Sequence, residues 1–512
     1  MAIRPLSAAI LLMLSAQAGL AETPDADTAP LSAIPWLSET LEKPVPRPEP
    51  PAKPLDPASA IQVAPLDSPD RGAAGLFAPN AAGLPGPPWD ASNAADVIPL
   101  IAGMGALEHP ALRDLFRSLV LVEATAPAGD AEAFLLARVD ALLKMGDLEA
   151  AQALLERAGP DTPALFRRWF DISLLLGTED RGCATLKAKP DLSPNYETQV
   201  FCLARAGRWP TAALTLETAT ALGRIDPAAR DRLARFLDPE IFEGEAPAPL
   251  PDPLTPLDFR ILEAVGEPIP TGQLPLAFAH SDLRHIIGWK SQIEAAERLA
   301  RAGNLPSTAL LGIYTARRAA ASGGVWDRVS LIQKLDIALT ARNAGDVAAL
   351  LPALSQAMHE ARLESVLAEM IAPRLSRIEL PADVRALAYE LALLSNSRAA
   401  FAPPPDNADL PPNLAFAASL AQDIPAAEAA PNALASALRA GLSAARVPDR
   451  HAGMVAEGRV GEALLLAIRD LADGPGADPA DAGDAIGLLA GLGMTDIARQ
   501  AALQVLLLDP RG

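Results

Sequence analysis

The stretch Leu142-Leu-Lys-Met-Gly-Asp-Leu-Glu-Ala-Ala-Gln-Ala-Leu-Leu-Glu-Arg-Ala158 fixes the expected architecture. One helix ends and Gly146 turns the chain. A second helix then begins, with Ala151 four residues before Leu155. Pro163 follows as the expected stop of that second helix. This is a helical hairpin with a small residue where its two helices must approach.

The same grammar recurs on both sides. Trp169, Ile172 and Leu176 space out the first helix of a next unit, with Ser173 at its middle, and Cys183 and Leu186 fall in a shortened second helix. Tyr196, Val200 and Leu203 open a third unit, Gly207 turns it, and Ala212, Leu216 and Ala219 continue it. Near the carboxyl end Gly458 precedes Ala463, Gly493 precedes Ala498, and Pro510 closes the last unit. In the middle, Ala302-Gly303-Asn304 and Ala344-Gly345-Asp346 look like the same turn. These positions resemble the tetratricopeptide repeat, with shorter and degenerate spacing in the first units. The resemblance implies an all-α, right-handed solenoid of helical hairpins, each covering the apolar face of the next. Other Ala- and Leu-rich hairpin arrays or bundles carry a similar pattern and stay open as alternatives.

Composition agrees with helices. The 512 residues include 106 Ala but only 4% aromatics, and half are hydrophobic. Ala and Leu rank at the top of helix propensity, and an aromatic-rich β-sandwich is hard to build from this inventory. The net charge of −20 excludes a sequence-independent nucleic-acid binder, which needs a basic surface.

Met1–Ala21 reads as a secretory signal, with Arg4 first, an apolar run from Leu6 to Leu14, and small residues before an expected cleavage after Ala21. An uncleaved anchor is the alternative reading. The expected localisation is the periplasm or the exterior. Residues 22–90 hold 16 prolines and read as a disordered or polyproline tether. It carries one apolar island at Ile34–Leu41 that could dock or fold back. Proline clusters at 238–256 and 401–412 then divide three helical blocks, 91–237, 257–400 and 413–512.

Cys183 and Cys202 are the only cysteines, and in an oxidising compartment they are expected to form one disulfide. In the repeat reading they lie on neighbouring helices of successive units, so the bridge is structural.

No residue is assigned a catalytic, cofactor-binding or metal role, and no cofactor is expected. His280, Asp282 and His285 form the one local histidine cluster, but a spacing of five is awkward for a single metal on a helix. Asp282 is expected to help begin a helix there. His359-Glu360 lacks the second histidine of a metalloprotease. Asp478, Asp481 and Asp484 lack calcium-loop spacing and read as a solvated loop. Trp289–Arg301 is an amphipathic repeat helix, Ser322-Gly-Gly324 a loop, and Trp326 a core residue.

The expected function is therefore a non-catalytic exported scaffold that binds a protein or peptide of the cell envelope, with Tyr196 among the candidate groove positions. The alternatives are a cell-wall glycan-processing enzyme or its accessory factor, and a structural spacer held at the inner membrane.

Overall fold

The computed structural model describes residues 70–193, 195–401, 410–422 and 429–508. The signal segment, the Ile34–Leu41 island and Pro510 lie outside them. Among the described residues the regular structure is helical, with two isolated β-bridges. None of the described helices is long and apolar enough to cross a membrane.

Helix α1 (Ala94–Ala102) and α2 (Pro110–Leu121) come first. Three hairpins follow: α3 (Ala131–Met145) with α4 (Leu148–Ala158), α5 (Pro163–Leu176) with α6 (Glu179–Ala188), and α7 (Tyr196–Arg205) with α8 (Trp209–Ala221). Gly146, at φ 80°, ends α3 in the left-handed region that a glycine enters without a Cβ penalty. Asp147 then accepts the Ala150 N–H and starts α4. Pro163 does not stop α4, which ends at Ala158. It opens α5 at the first helical position, where its missing N–H costs nothing. Cys183 of α6 and Cys202 of α7 form a disulfide with Cα atoms 5.1 Å apart. It staples two successive hairpins, and chain entropy assigns a loop of this size about 3 kcal/mol.

Helices α9 (Pro227–Leu237) and α10 (Pro256–Ala264) and a 3₁₀ stretch at Leu276–Leu283 lead to the middle of the chain. There run α11 (Trp289–Arg301), α12 (Ser307–Thr315), α13 (Val325–Ala341), α14 (Ala344–Glu360), α15 (Glu364–Leu375) and α16 (Ala382–Leu394). Gly345 is not a turn residue. Arg342 makes that turn at φ 53°, Asn343 caps α14, and Gly345 lies inside the helix. Trp326 is half-buried rather than core, its ring 5.2 Å from that of Trp289.

The last helices are α17 (Pro412–Ala421), α18 (Ala433–Ala444), α19 (Asp449–Ala456), α20 (Val460–Ala472), α21 (Pro479–Gly491) and α22 (Thr495–Leu507). Helices α18 and α21 cross backbone to backbone. A Cβ on Gly441 would overlap the Gly483 carbonyl, and one on Gly491 would overlap Arg446.

Apolar cores extend across the proline clusters at 238–256 and 401–412. One core joins Phe134, Leu155, Phe166 and Phe201 of the first hairpins to Phe259 and Phe278 beyond the 238–256 segment, and to Leu464, Ile468 and Ile486 near the carboxyl end. A second core holds α11–α16, and a third, around Leu393, Phe416 and Leu503, links the middle to the end. The described residues form one compact unit.

The tether expectation is also corrected at its end. Residues 70–90 are folded: a 3₁₀ turn spans Arg71–Ala73, and Leu84 and Trp89 are buried. Prolines there bound turns, while the large apolar side chains fill the core. The Pro88 carbonyl accepts the Gly461 N–H at 2.9 Å. Gln504 of α22 accepts the Ala111 N–H at the start of α2, and Gln500 donates to the Leu393 and Leu394 carbonyls at the end of α16. A single carboxy-terminal helix thereby satisfies backbone groups of both earlier parts.

Candidate functional site

Four helix ends meet at one cavity wall. A helix leaves its last carbonyls without internal partners. Here each end is met by a side chain from another element. Lys144 Nζ donates to the Ala102 carbonyl of α1 at 2.7 Å, and Asn304 Nδ2 donates to the Met145 carbonyl of α3 at 2.5 Å. Arg113 donates to the Arg301 carbonyl of α11 at 3.0 Å. Arg301 donates through Nε and Nη2 to the Ala361 carbonyl just past α14, at 3.0 and 2.7 Å. Cations at these ends also face the negative pole of each helix.

The cavity they enclose has a volume of about 1110 Å³. Pockets for drug-sized ligands run to roughly 1,000 Å³. Its wall combines the 103–110 loop, the end of α3, the α11–α12 turn, the start of α15, the end of α16 and the 472–476 loop. Met104, Leu107, Phe116, Leu305 and Val366 supply apolar surface. Arg113, Lys144, Arg298, Arg301 and Arg362 face Glu108, Asp114, Glu364, Glu369 and Asp473. Five cations balance five carboxylates there, although the whole chain carries −20.

The two sets differ in what they have left to give. Arg298 donates to the Thr271 and Leu274 carbonyls, and Arg362 pairs with Glu108 at 3.0 Å. His359 Nδ1 lies 2.6 Å from Glu364. Asp114 meets only the Arg113 Nε, at 3.7 Å. Its side chain is 67% exposed, and that surface lines the cavity. Surrounding protein pushes its carboxyl above the usual range, and Arg113 and Arg117 pull it partly back. Glu369 accepts the Asn396 N–H at 2.8 Å and keeps its other oxygen. Burial raises it, that hydrogen bond lowers it, and the Asp114 charge raises it further.

His109 stands at the head of α2 and is 5% exposed. Its Nδ1 has no hydrogen-bond partner, although its ring lines the cavity. Gly474 packs against the ring, where a Cβ would find no room. Burial holds the imidazole below its ordinary value, against the opposing charge of Glu108, so it is neutral at pH 7.

The residues singled out from sequence lie mostly elsewhere. His280 Nε2 sits 2.8 Å from the Gly146 carbonyl, and Asp282 accepts the Thr271 hydroxyl at 2.5 Å. Asp282 starts no helix, because the segment is 3₁₀ and Asp282 falls near its end. His285 is exposed. Asp478 caps α21, while Asp481 and Asp484 face Arg450. Tyr196 is half-buried against the main core and does not line the cavity. No group of three or more His, Cys, Asp or Glu among the described residues is placed to hold a metal ion. Sequence reasoning missed Asp114, Glu369 and His109. Only the His109-Pro110 step, a buried histidine ahead of a helix-starting proline, left a local trace.

The chain matches no known family model, no curated protein and no solved structure.

Proposed function

We propose that the protein is an exported helical-hairpin scaffold of the cell envelope, built on tetratricopeptide-like units, that holds an extended segment of a protein or peptide partner in the central cavity. Export rests on the signal-like Met1–Ala21. The observation that carries the binding role is the cavity itself. It measures about 1110 Å³, and its polar wall is fixed in place by hydrogen bonds between elements far apart in the chain. Such bonds preorganise a site and lower the ordering cost of binding. A polypeptide segment suits this lining, because its own amides need partners along their length.

Photo-crosslinking in cells tests the reading. A benzoylphenylalanine in place of Ser365, on the cavity wall, is expected to form an adduct with a polypeptide segment. The adduct should vanish in a Gly105→Trp background, since Gly105 lines the cavity and its Cβ direction is open. An undiminished adduct in Gly105→Trp would contradict the proposal. So would an equal yield from Ile337, which is 69% exposed and outside the cavity.

A further inference from the structure

We infer that His451 is an acid-operated release for helix α19: a second proton on its imidazole expels the side chain and frees the helix from α20 and α21. Within α19 His451 is the one buried residue, 2% exposed, while Met454 and Val455 are half-buried. The adjacent Arg450 supplies the polar hold. Its guanidinium pairs with Asp470 of α20 and Asp481 of α21, and its Nε lies 3.7 Å from Asp484. The same Nε donates to His451 Nε2 at 2.9 Å. An arginine nitrogen can only donate, so this imidazole nitrogen carries a lone pair and the ring is neutral, with its proton on Nδ1. That Nδ1 is buried and has no hydrogen-bond partner.

A second proton has no place in this arrangement. It would sit on Nε2 and face the Arg450 N–H, donor against donor and cation against cation. Nδ1 offers the imidazolium no acceptor either, and a buried charge without partners is costly. The charged groups gathered around the pair are Arg450 on α19, Arg469 and Asp470 on α20, and Asp481 and Asp484 on α21. Burial is the largest influence and holds the imidazole below its ordinary value. Arg450 holds it lower still, and the Asp484 and Asp481 charges oppose them without prevailing. A released helix takes up the proton at the ordinary value, about 6.5. The hold on α19 is therefore complete above about pH 6.5 and weakens as the pH falls toward the folded-state value. The chain leads from α19 through Gly458, beside Ala91, to Gly461 against the Trp89 ring, so the released helix borders the contact between the two ends of the fold.

Hydrogen exchange of the full chain at pH 7.5 and pH 5.0, read by mass spectrometry and corrected for intrinsic rates, tests the release. Peptides covering 448–457 should lose protection on acidification, about tenfold for each unit by which the fold depresses the imidazole. Peptides from α21 should keep theirs. In His451→Gln the amide oxygen accepts from Arg450 and does not titrate, so the acid loss should vanish. Arg450→Gln, at an exposed position, removes the facing cation and donor but leaves the burial. It should show a smaller acid loss than the parent. His285→Asn alters an exposed histidine and should behave as the parent does. No acid loss in the parent, or an equal loss in His451→Gln, overturns the inference. So does a loss shared in full by α21, the mark of general acid unfolding. Should His451→Gln fail to fold, an Arg450→Gln loss as large as the parent's overturns it instead.

Discussion

Replacing Arg138 by Met is expected to destabilise the folded chain by about 3–9 kcal/mol, the sum for three buried acceptors left without donors. Arg138 sits in α3 and is 1% exposed. No carboxylate faces it. Its guanidinium donates instead to three carbonyls, those of Val120 at 2.7 Å, Gly72 at 3.0 Å and Val122 at 2.9 Å. Burial pulls it down to about 10, so it is still cationic at neutral pH and is held by carbonyl dipoles. Those carbonyls belong to the 3₁₀ turn at Arg71–Ala73, to the end of α2 and to the residue after it. Beside them Leu76 N–H donates to the Leu121 carbonyl and Glu123 N–H to that of Phe77. Arg138 thus ties the folded amino-terminal edge to α2 and α3. Methionine keeps the volume and removes every donor. Lysine keeps the charge but loses the planar fork, and should fall between the two. Urea denaturation measures the series. A methionine variant as stable as the parent would refute this account of the edge.

Gly461→Leu is expected to cost about 3 kcal/mol through overpacking, against helix propensity, which by itself favours leucine. Gly461 lies in the first turn of α20, and its N–H is bonded to Pro88. A Cβ there would overlap the Trp89 ring and stand 2.7 Å from the Pro88 oxygen. Trp89 is itself buried and packs edge-on against Phe134 of α3, so it has nowhere to go. The leucine should therefore part the carboxy-terminal helices from the amino-terminal ones. Gly453 of α19 supplies the opposite case, because nothing lies near its Cβ direction. Gly453→Ala should stabilise the protein by about 0.5–1 kcal/mol through reduced chain entropy. Thermal unfolding of the two variants should move in opposite directions. Equal behaviour would mean that the Trp89–Gly461 contact does not form in solution.

The helices were legible because their signal is local. Ala and Leu periodicity and the glycines at 146, 207, 303, 458 and 493 mark hairpins, and all five adopt positive φ, whereas Gly345 does not. The disulfide was legible for the same reason, since its cysteines fall on adjacent helices. The return of α20 and α22 to α1 and α2 was not legible. It rests on Trp89 against Gly461 and on Gln504 against Ala111, pairs more than 370 residues apart with nothing in either sequence neighbourhood to announce the other. Prolines misled in two ways. Those before Trp89 suggested an unfolded tether, although turns around a buried aromatic need them equally. The 238–256 cluster suggested a boundary, although Phe259 beyond it joins the first core. The cavity was hidden because capping bonds between distant elements make its wall, as Arg113 does with Arg301. Arg113 and Arg301 are both spent on helix ends of other elements.

Closure of the chain on itself underlies the cavity and everything inferred from it. A Cβ on Gly458 would lie 3.3 Å from that of Ala91, near the spacing of a disulfide-linked pair. The Ala91→Cys/Gly458→Cys variant places two thiols there, at a cost of about 1 kcal/mol for the left-handed backbone of residue 458. Mild oxidation of the dilute protein, followed by peptide mapping without reduction, should find 91 and 458 joined within one chain beside the native 183–202 pair. Free thiols at both positions, or linkage only between two chains, would show that the amino- and carboxy-terminal helices do not meet.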